Sequence, residues 1–135
     1  MKLKGRTIYR GSVQGEAIVS SKPISFYGGV DPQTGVIVER GHDLEGKSIT
    51  GKILVFPSGK GSTVGSYILF RLSKNKKEPK GLILKECEAI IAVGCIIGEI
   101  PCIDHIDITK IKSGAQLSLN ANDGTVTILE DHSEK

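Results

Sequence analysis

The chemistry of this chain concentrates in Pro57-Ser58-Gly59-Lys60-Gly61-Ser62-Thr63-Val64-Gly65-Ser66, where three glycines, one lysine and three serines fall within ten residues. Lys60 brings a full positive charge, and Ser62 and Thr63 bring hydroxyls. The glycines let backbone N–H groups converge on one point. The apolar run Ile53-Leu54-Val55-Phe56 precedes the stretch, and Tyr67-Ile68-Leu69-Phe70-Arg71-Leu72 follows it with apolar positions that suit a helix. Strand, glycine-rich turn and helix in that order set the positive end of a helix at the turn. The stretch predicts a place that holds an anion and presents a serine to it. Serine and threonine are also ordinary helix caps and glycine an ordinary turn residue. It is the density of the set that favours a ligand site over a plain cap.

Two phosphate loops can be tested by spacing. A P-loop needs Gly-x4-Gly-Lys-[Ser/Thr]; here Lys60 is followed by Gly61 and Leu54 stands five before Gly59, so the motif fails. Gly59-x-Gly61-x3-Gly65 approaches a dinucleotide fingerprint with one residue too many. That fingerprint usually lies on the first strand of a larger domain, and here about fifty residues precede the loop. A nucleotide-binding domain stays an outside reading that would require nucleotide affinity in the isolated chain.

A chain of 135 residues suffices for one domain with a core. Eighteen Lys and Arg against fifteen Asp and Glu give a mild net charge of +3. The one basic cluster, Lys74-Asn75-Lys76-Lys77 with Lys80, suits a helix end. Aromatics are scarce and Trp is absent, which argues against stacking platforms for nucleic acid. No apolar run has membrane length and no signal peptide is read, so a reducing cytoplasm is expected. The three cysteines, Cys87, Cys95 and Cys102, include no Cys-x-x-Cys and read as buried free thiols rather than cluster ligands. Asp104, His105 and Asp107 read as turn residues rather than a metal site, and His42 as a loop residue.

The elements follow from patterning. Residues 1–21 predict two short strands joined by a turn, 25–35 a loop, 36–39 a strand and 41–46 a turn. Residues 53–56 and 81–85 read as strands buried on both faces, 63–73 as a helix, 88–98 as a buried helix and 101–104 as a third short strand. Strands alternating with helices imply βαβ units and a parallel sheet. Residues 117–120 and 125–129 flank Asp123-Gly124 as a hairpin, and 130–135 reads as a frayed polar tail. The fold class is α/β, a β-rich layer around a short parallel β/α core, in one domain over 1–135.

The ten-residue loop, the earlier Gly28-Gly29-Val30-Asp31-Pro32-x-Thr34-Gly35 and the later Ala92-Val93-Gly94 with Ile100-Pro101 resemble, in that order, the aconitase X family. Within it they are similar to the branch whose small subunit is a separate chain, the archaeal phosphomevalonate dehydratases. The resemblance runs from about Gly11 to Ile128, and the loop is its specific part. It implies the swivelling β/β/α domain of the aconitase type. It also implies a large catalytic subunit as partner, carrying the iron–sulfur cluster and most of the cleft, with no cofactor bound by this chain. The implied reaction is loss of water from (R)-5-phosphomevalonate to give trans-anhydromevalonate 5-phosphate, in isoprenoid synthesis.

Carried over by motif, Ser62 is the proton acceptor. Lys60, Gly61 and Thr63 bind the anionic substrate or stabilise the deprotonated serine, and Gly28, Gly29 and Asp31 line the same cleft. Ser58, just after the strand, suits a turn role; a serine at the helix start points its hydroxyl at the anion site. Ser66 faces packing. Lowering a serine pKa by about five units requires about 7 kcal/mol. A helix N-terminus supplies at most about 2 kcal/mol, so Lys60 must act in a cleft dried by a partner. Two other readings remain: an aconitase X dehydratase of another hydroxy acid such as hydroxyproline, and a non-catalytic module binding a phosphorylated ligand.

Overall fold

The run Ile53–Phe56 forms strand β4, and all four residues are buried because both faces of their sheet are covered. Alternation decides which core each side chain joins. Leu54 and Phe56 pack with Leu82, Leu84 and Cys102 against the helices, whereas Ile53 and Val55 pack with Ile83 and Ile103 against a second sheet. The result is three layers, helices on a parallel sheet on an antiparallel sheet, as the β/β/α expectation requires.

The computed structural model describes residues 1–130. In chain order these are β1 (Lys2–Lys4), β2 (Arg6–Tyr9), β3 (Ser12–Val19), a single broken turn α1 (Phe26–Gly29), β4 (Ile53–Phe56), α2 (Gly65–Lys74), β5 (Gly81–Leu84), α3 (Ala89–Gly98), β6 (Cys102–Asp104), a 3-10 turn at Ile108–Lys110, β7 (Gln116–Asn120) and β8 (Thr125–Glu130). The strand order is β1-β8-β7-β3-β4-β5-β6-β2. β3, β4, β5 and β6 run parallel. β3 continues past that sheet to pair antiparallel with β7, so one long strand belongs to both layers. The β4-α2-β5-α3-β6 core agrees with the elements read from sequence, and so does the β7-β8 hairpin turning at Gly124.

Three expectations need correction. The N-terminus is not two strands joined by a turn. It bends at Gly5, so that β1 pairs with β8 and β2 with β6. Gly5 is required there, since a Cβ would collide with the Asp104 carbonyl oxygen. Residues 36–39 form no strand; they make only isolated bridges, Val30 with Ile37 and Val36 with Ser48. Helix α3 is only half-buried. It lies at the outer side of the helical layer and leaves Val93, Ile96 and Ile97 exposed. The tail expected over 130–135 lies outside the described residues from 131 on. Among the described residues no helix is long and apolar enough to cross a membrane.

Candidate active site

The loop leaves β4 at its carboxyl end and enters α2, while the start of α3 leaves the carboxyl end of β5 beside it. This is the edge at which open parallel sheets bind ligands. Two anchors fix the loop. Ile24 N–H donates to Ser58 O at 3.1 Å and Lys60 N–H donates to Ile24 O at 3.1 Å. On the other flank Gly59 N–H donates to Glu88 Oε1 at 3.3 Å. A Cβ on Gly59 would stand 2.6 Å from Ile91 Cγ1, so the loop can lie this close to α3 only without one.

Past the anchors the chain turns at Gly61, with φ +91°. The N–H groups of Gly61, Ser62 and Thr63 donate to no acceptor among the described residues. Three successive free donors ahead of a helix make an anion-binding concavity. Ser62 is exposed, and its Oγ accepts from Val64 N–H at 3.1 Å. α2 begins at Gly65, after Val64 as its cap, so Ser62 and Thr63 stand just ahead of the helix. Ser66 Oγ donates to Thr63 O at 3.0 Å; it closes the helix's first turn instead of packing inward.

Lys60 Nζ donates to Glu39 Oε2 at 2.8 Å, with Lys60 about half exposed and Glu39 a quarter exposed. Glu39 lies against Gly29, where a Cβ would come within 3.2 Å of Oε1. Val38 N–H donates to Gly29 O at 2.8 Å and holds that segment beside the Gly28–Gly29 turn. Gly28 has φ +84°, open to solvent on its Cβ side. Gly29, Lys60, Gly61, Ser62 and Thr63 thus share one edge, with Gly28 in the turn beside them.

Asp31 does not join them through any hydrogen bond. Its carboxylate accepts from Gln33 N–H at 2.9 Å and its carbonyl from Gly35 N–H at 2.8 Å, so it shapes its own turn. Sequence reasoning missed Glu39, which reaches Lys60 across 21 residues of chain. It also missed Ser25, whose Oγ lies 2.6 Å from where a Gly61 Cβ would stand.

Two further readings change and one holds. His42 is a buried strut: its Nε2 donates to Pro23 O at 3.1 Å while Nδ1 accepts from Leu44 N–H at 3.1 Å. Asp104 is a fully buried strand residue rather than a turn residue. Arg6 Nε and a terminal guanidinium nitrogen donate to its two oxygens at 3.0 and 2.9 Å, and Cys87 N–H donates at 2.9 Å. Asp107 does cap a turn, accepting from Thr109 N–H.

The cysteines are free and buried, as read. Burial and the neighbouring Cys87 and Cys95 thiols push the Cys102 thiol well up, so it keeps its proton. Among the described residues the grouping of metal-ligating side chains is Glu86, Asp104 and His105. Asp104 already accepts three hydrogen bonds from Arg6 and Cys87, and the group offers no thiolate for an iron–sulfur cluster.

The loop sits in the open. Two surface clefts, one lined by Glu16, Lys52 and Ser113 and the other by Lys85, His105 and Asp107, lie elsewhere. Val64 at the helix cap, Tyr67 in the first turn of α2 and Tyr27, whose backbone N lies 3.8 Å from where a Gly65 Cβ would stand, are all exposed by more than two fifths.

The family model described as the aconitase X swivel domain matches residues 2–128. The phosphomevalonate dehydratase small subunit of Thermococcus kodakarensis is 55% identical over 131 residues, 97% of this chain and 98% of that one. Its counterpart in Pyrococcus horikoshii is 56% identical over 131 residues, 97% and 98%. The crystal structure of Thermococcus kodakaraensis aconitase X in its holo-form superposes with a TM-score of 0.95 at 54% identity, covering 96% of this chain and 99% of that one.

Proposed function

The chain belongs to the aconitase X swivel domain family, and from that premise we propose that it is the small subunit of a phosphomevalonate dehydratase, a hydro-lyase complete only with a separate large subunit. The observation that carries the reading is the loop: an exposed Ser62 beside three unspent N–H groups and a lysine. It stands in a chain similar over nearly its whole length to small subunits of that name.

Dehydration of a 3-hydroxy acid demands that a proton leave the carbon beside the carboxylate. Ser62 takes that proton. Val64 N–H, already on its oxygen, stabilises the alkoxide, and the helix behind adds its positive end. The N–H groups of Gly61 to Thr63 and the Lys60 ammonium bind the substrate as an oxyanion, with Gly28 and Gly29 leaving room beside them. The leaving hydroxyl is the business of the large subunit, to which this reading assigns the iron–sulfur cluster. Among the described residues no group of thiolates is gathered to compete for that cluster.

An exposed serine is a poor base, and water around Lys60 weakens its field. The loop therefore works only when covered. The apolar Tyr27, Val64 and Tyr67 around it suit a partner that closes over the site. The test is turnover of (R)-5-phosphomevalonate by the two subunits reconstituted anaerobically. Ser62→Ala is expected to abolish turnover while the complex still forms and binds substrate. If Ser62→Ala keeps more than a tenth of the activity and Lys60→Ala loses it, the loop binds the substrate without acting as its base.

A further inference from the structure

Glu39 is the one described residue that leaves a buried side-chain oxygen without a hydrogen-bond partner. Its other oxygen holds Lys60 Nζ at 2.8 Å. An ionised oxygen shut from water with no donor is costly, and such arrangements persist where function holds them. The backbone sets the surroundings of this one. Val38 N–H is committed to Gly29 O, which fixes the segment, and Gly29 offers Oε1 only a bare Cα face. Any side chain at position 29 would begin 3.2 Å from that oxygen. The carboxylate is thereby aimed at the one cation of the loop.

We infer that Glu39 is a positioning residue for Lys60: it fixes the ammonium at the rim of the anion site and competes with the incoming oxyanion for it. The inference rests on the proposed anion role of the loop. Two consequences follow. A ligand must bring enough negative charge to share Lys60 with a carboxylate already there, which favours a phosphate or a carboxylate over a neutral hydroxy compound. The ammonium also stays where the serine needs it while the site is empty, so that its position does not have to be found after binding.

The test uses Glu39→Gln, which keeps the shape and removes the charge, and Glu39→Asp, which keeps the charge and shortens the reach. In the assembled two-subunit enzyme, Glu39→Gln is expected to lower kcat at least about tenfold. Its Ki for inorganic phosphate is expected to tighten by about three- to fivefold, the worth of a partly exposed ion pair no longer contested. Glu39→Asp should lower kcat without tightening phosphate. A residue that merely supported the fold would weaken phosphate binding and turnover together, and that result, or an unchanged Ki in Glu39→Gln, overturns the inference.

A second arm does not depend on the substrate. Inorganic phosphate is titrated into the isotopically labelled full chain, following the amide signals of Gly61, Ser62 and Thr63 in wild type and both variants. Tighter phosphate in Glu39→Gln alone upholds the inference even if 5-phosphomevalonate proves not to be turned over. Equal affinity in all three overturns it even if the dehydratase reading stands.

Discussion

At Gly61 two constraints coincide. Its φ of +91° is one that L side chains rarely adopt, and its Cβ position is occupied by Ser25 Oγ at 2.6 Å. Gly61→Ala must therefore strain the backbone by about 1–3 kcal/mol and push apart the two loops whose contact shapes the anion site. The expected outcome is a folded variant whose melting temperature falls by several degrees and whose kcat/KM in the assembled enzyme falls at least about tenfold. Gly114→Ala is the control: φ is +93° there as well, but nothing lies within 4 Å of its Cβ and it is remote from the loop. It should lose comparable stability and keep full activity. Equal activity loss in both would mean that backbone strain, and not the geometry around Ser25, explains the effect. Lys60, Gly61, Ser62 and Thr63 were legible in the sequence because they are adjacent; one turn of chain carries the whole pattern. Glu39 and Ser25 were not, because nothing local marks a glutamate or serine that meets the loop only after folding. Asp31 is held by its own turn, its carboxylate accepting from Gln33 two residues on, as an aspartate in a turn commonly does.

The helices that carry the loop are set by small residues at their contact. Gly94 of α3 faces Leu69 of α2, and a Cβ there would meet the Leu69 side chain along its length, at 3.0 Å from its Cβ and 3.2 Å from its Cγ as well as at its tip. No rotamer of Leu69 escapes a contact at its own Cβ, so the two helices must separate. Gly94→Ala should cost about 1–3 kcal/mol, as overpacking a close interior does. Urea unfolding would record it as a lower midpoint at unchanged slope; a midpoint equal to that of wild type would show that the helices part freely. The parallel core was readable because doubly buried strands are continuously apolar, and β4 and β5 are nothing else. α3 was read as a helix for its length and small residues, but its burial was overstated. A sequence apolar all round cannot say that one side faces outward, and Val93, Ile96 and Ile97 do. Nor could residues 36–39 be distinguished from a strand, since two isolated bridges require the same extended backbone as a ladder.

At the scale of the molecule, one bent strand joins the two extremes of the sheet order. β1 ends one side on β8 and β2 ends the other on β6, with Gly5 between them. Local patterning contains no trace of this closure, because the partners of β1 and β2 lie about a hundred residues away. What secures it chemically is Arg6 on Asp104, a two-pronged ion pair joined by Cys87 N–H. Burial alone would push the Asp104 carboxyl up. The Arg6 hydrogen bond, the Cys87 N–H and the Arg6 charge outweigh it and hold the carboxyl below its ordinary range. A carboxyl held low in the folded state favours folding whenever it is ionised. Its contribution is complete above the ordinary aspartate value near 3.9 and is lost as pH falls through the lowered folded value. Asp104→Asn should thus be less stable than wild type by about 2 kcal/mol at pH 7, the worth of hydrogen bonds to a buried charged group. The gap should shrink as the medium is acidified below about pH 4. Asp107 and Asp123, held low by the Thr109 and Thr125 hydroxyls, are common to both proteins and leave the difference unaffected. Urea unfolding of the two proteins at pH 7 and pH 3 decides it. A gap that stays constant would assign the cost to lost packing at position 104, whereas a gap that closes assigns it to the charge that fastens β2 to β6.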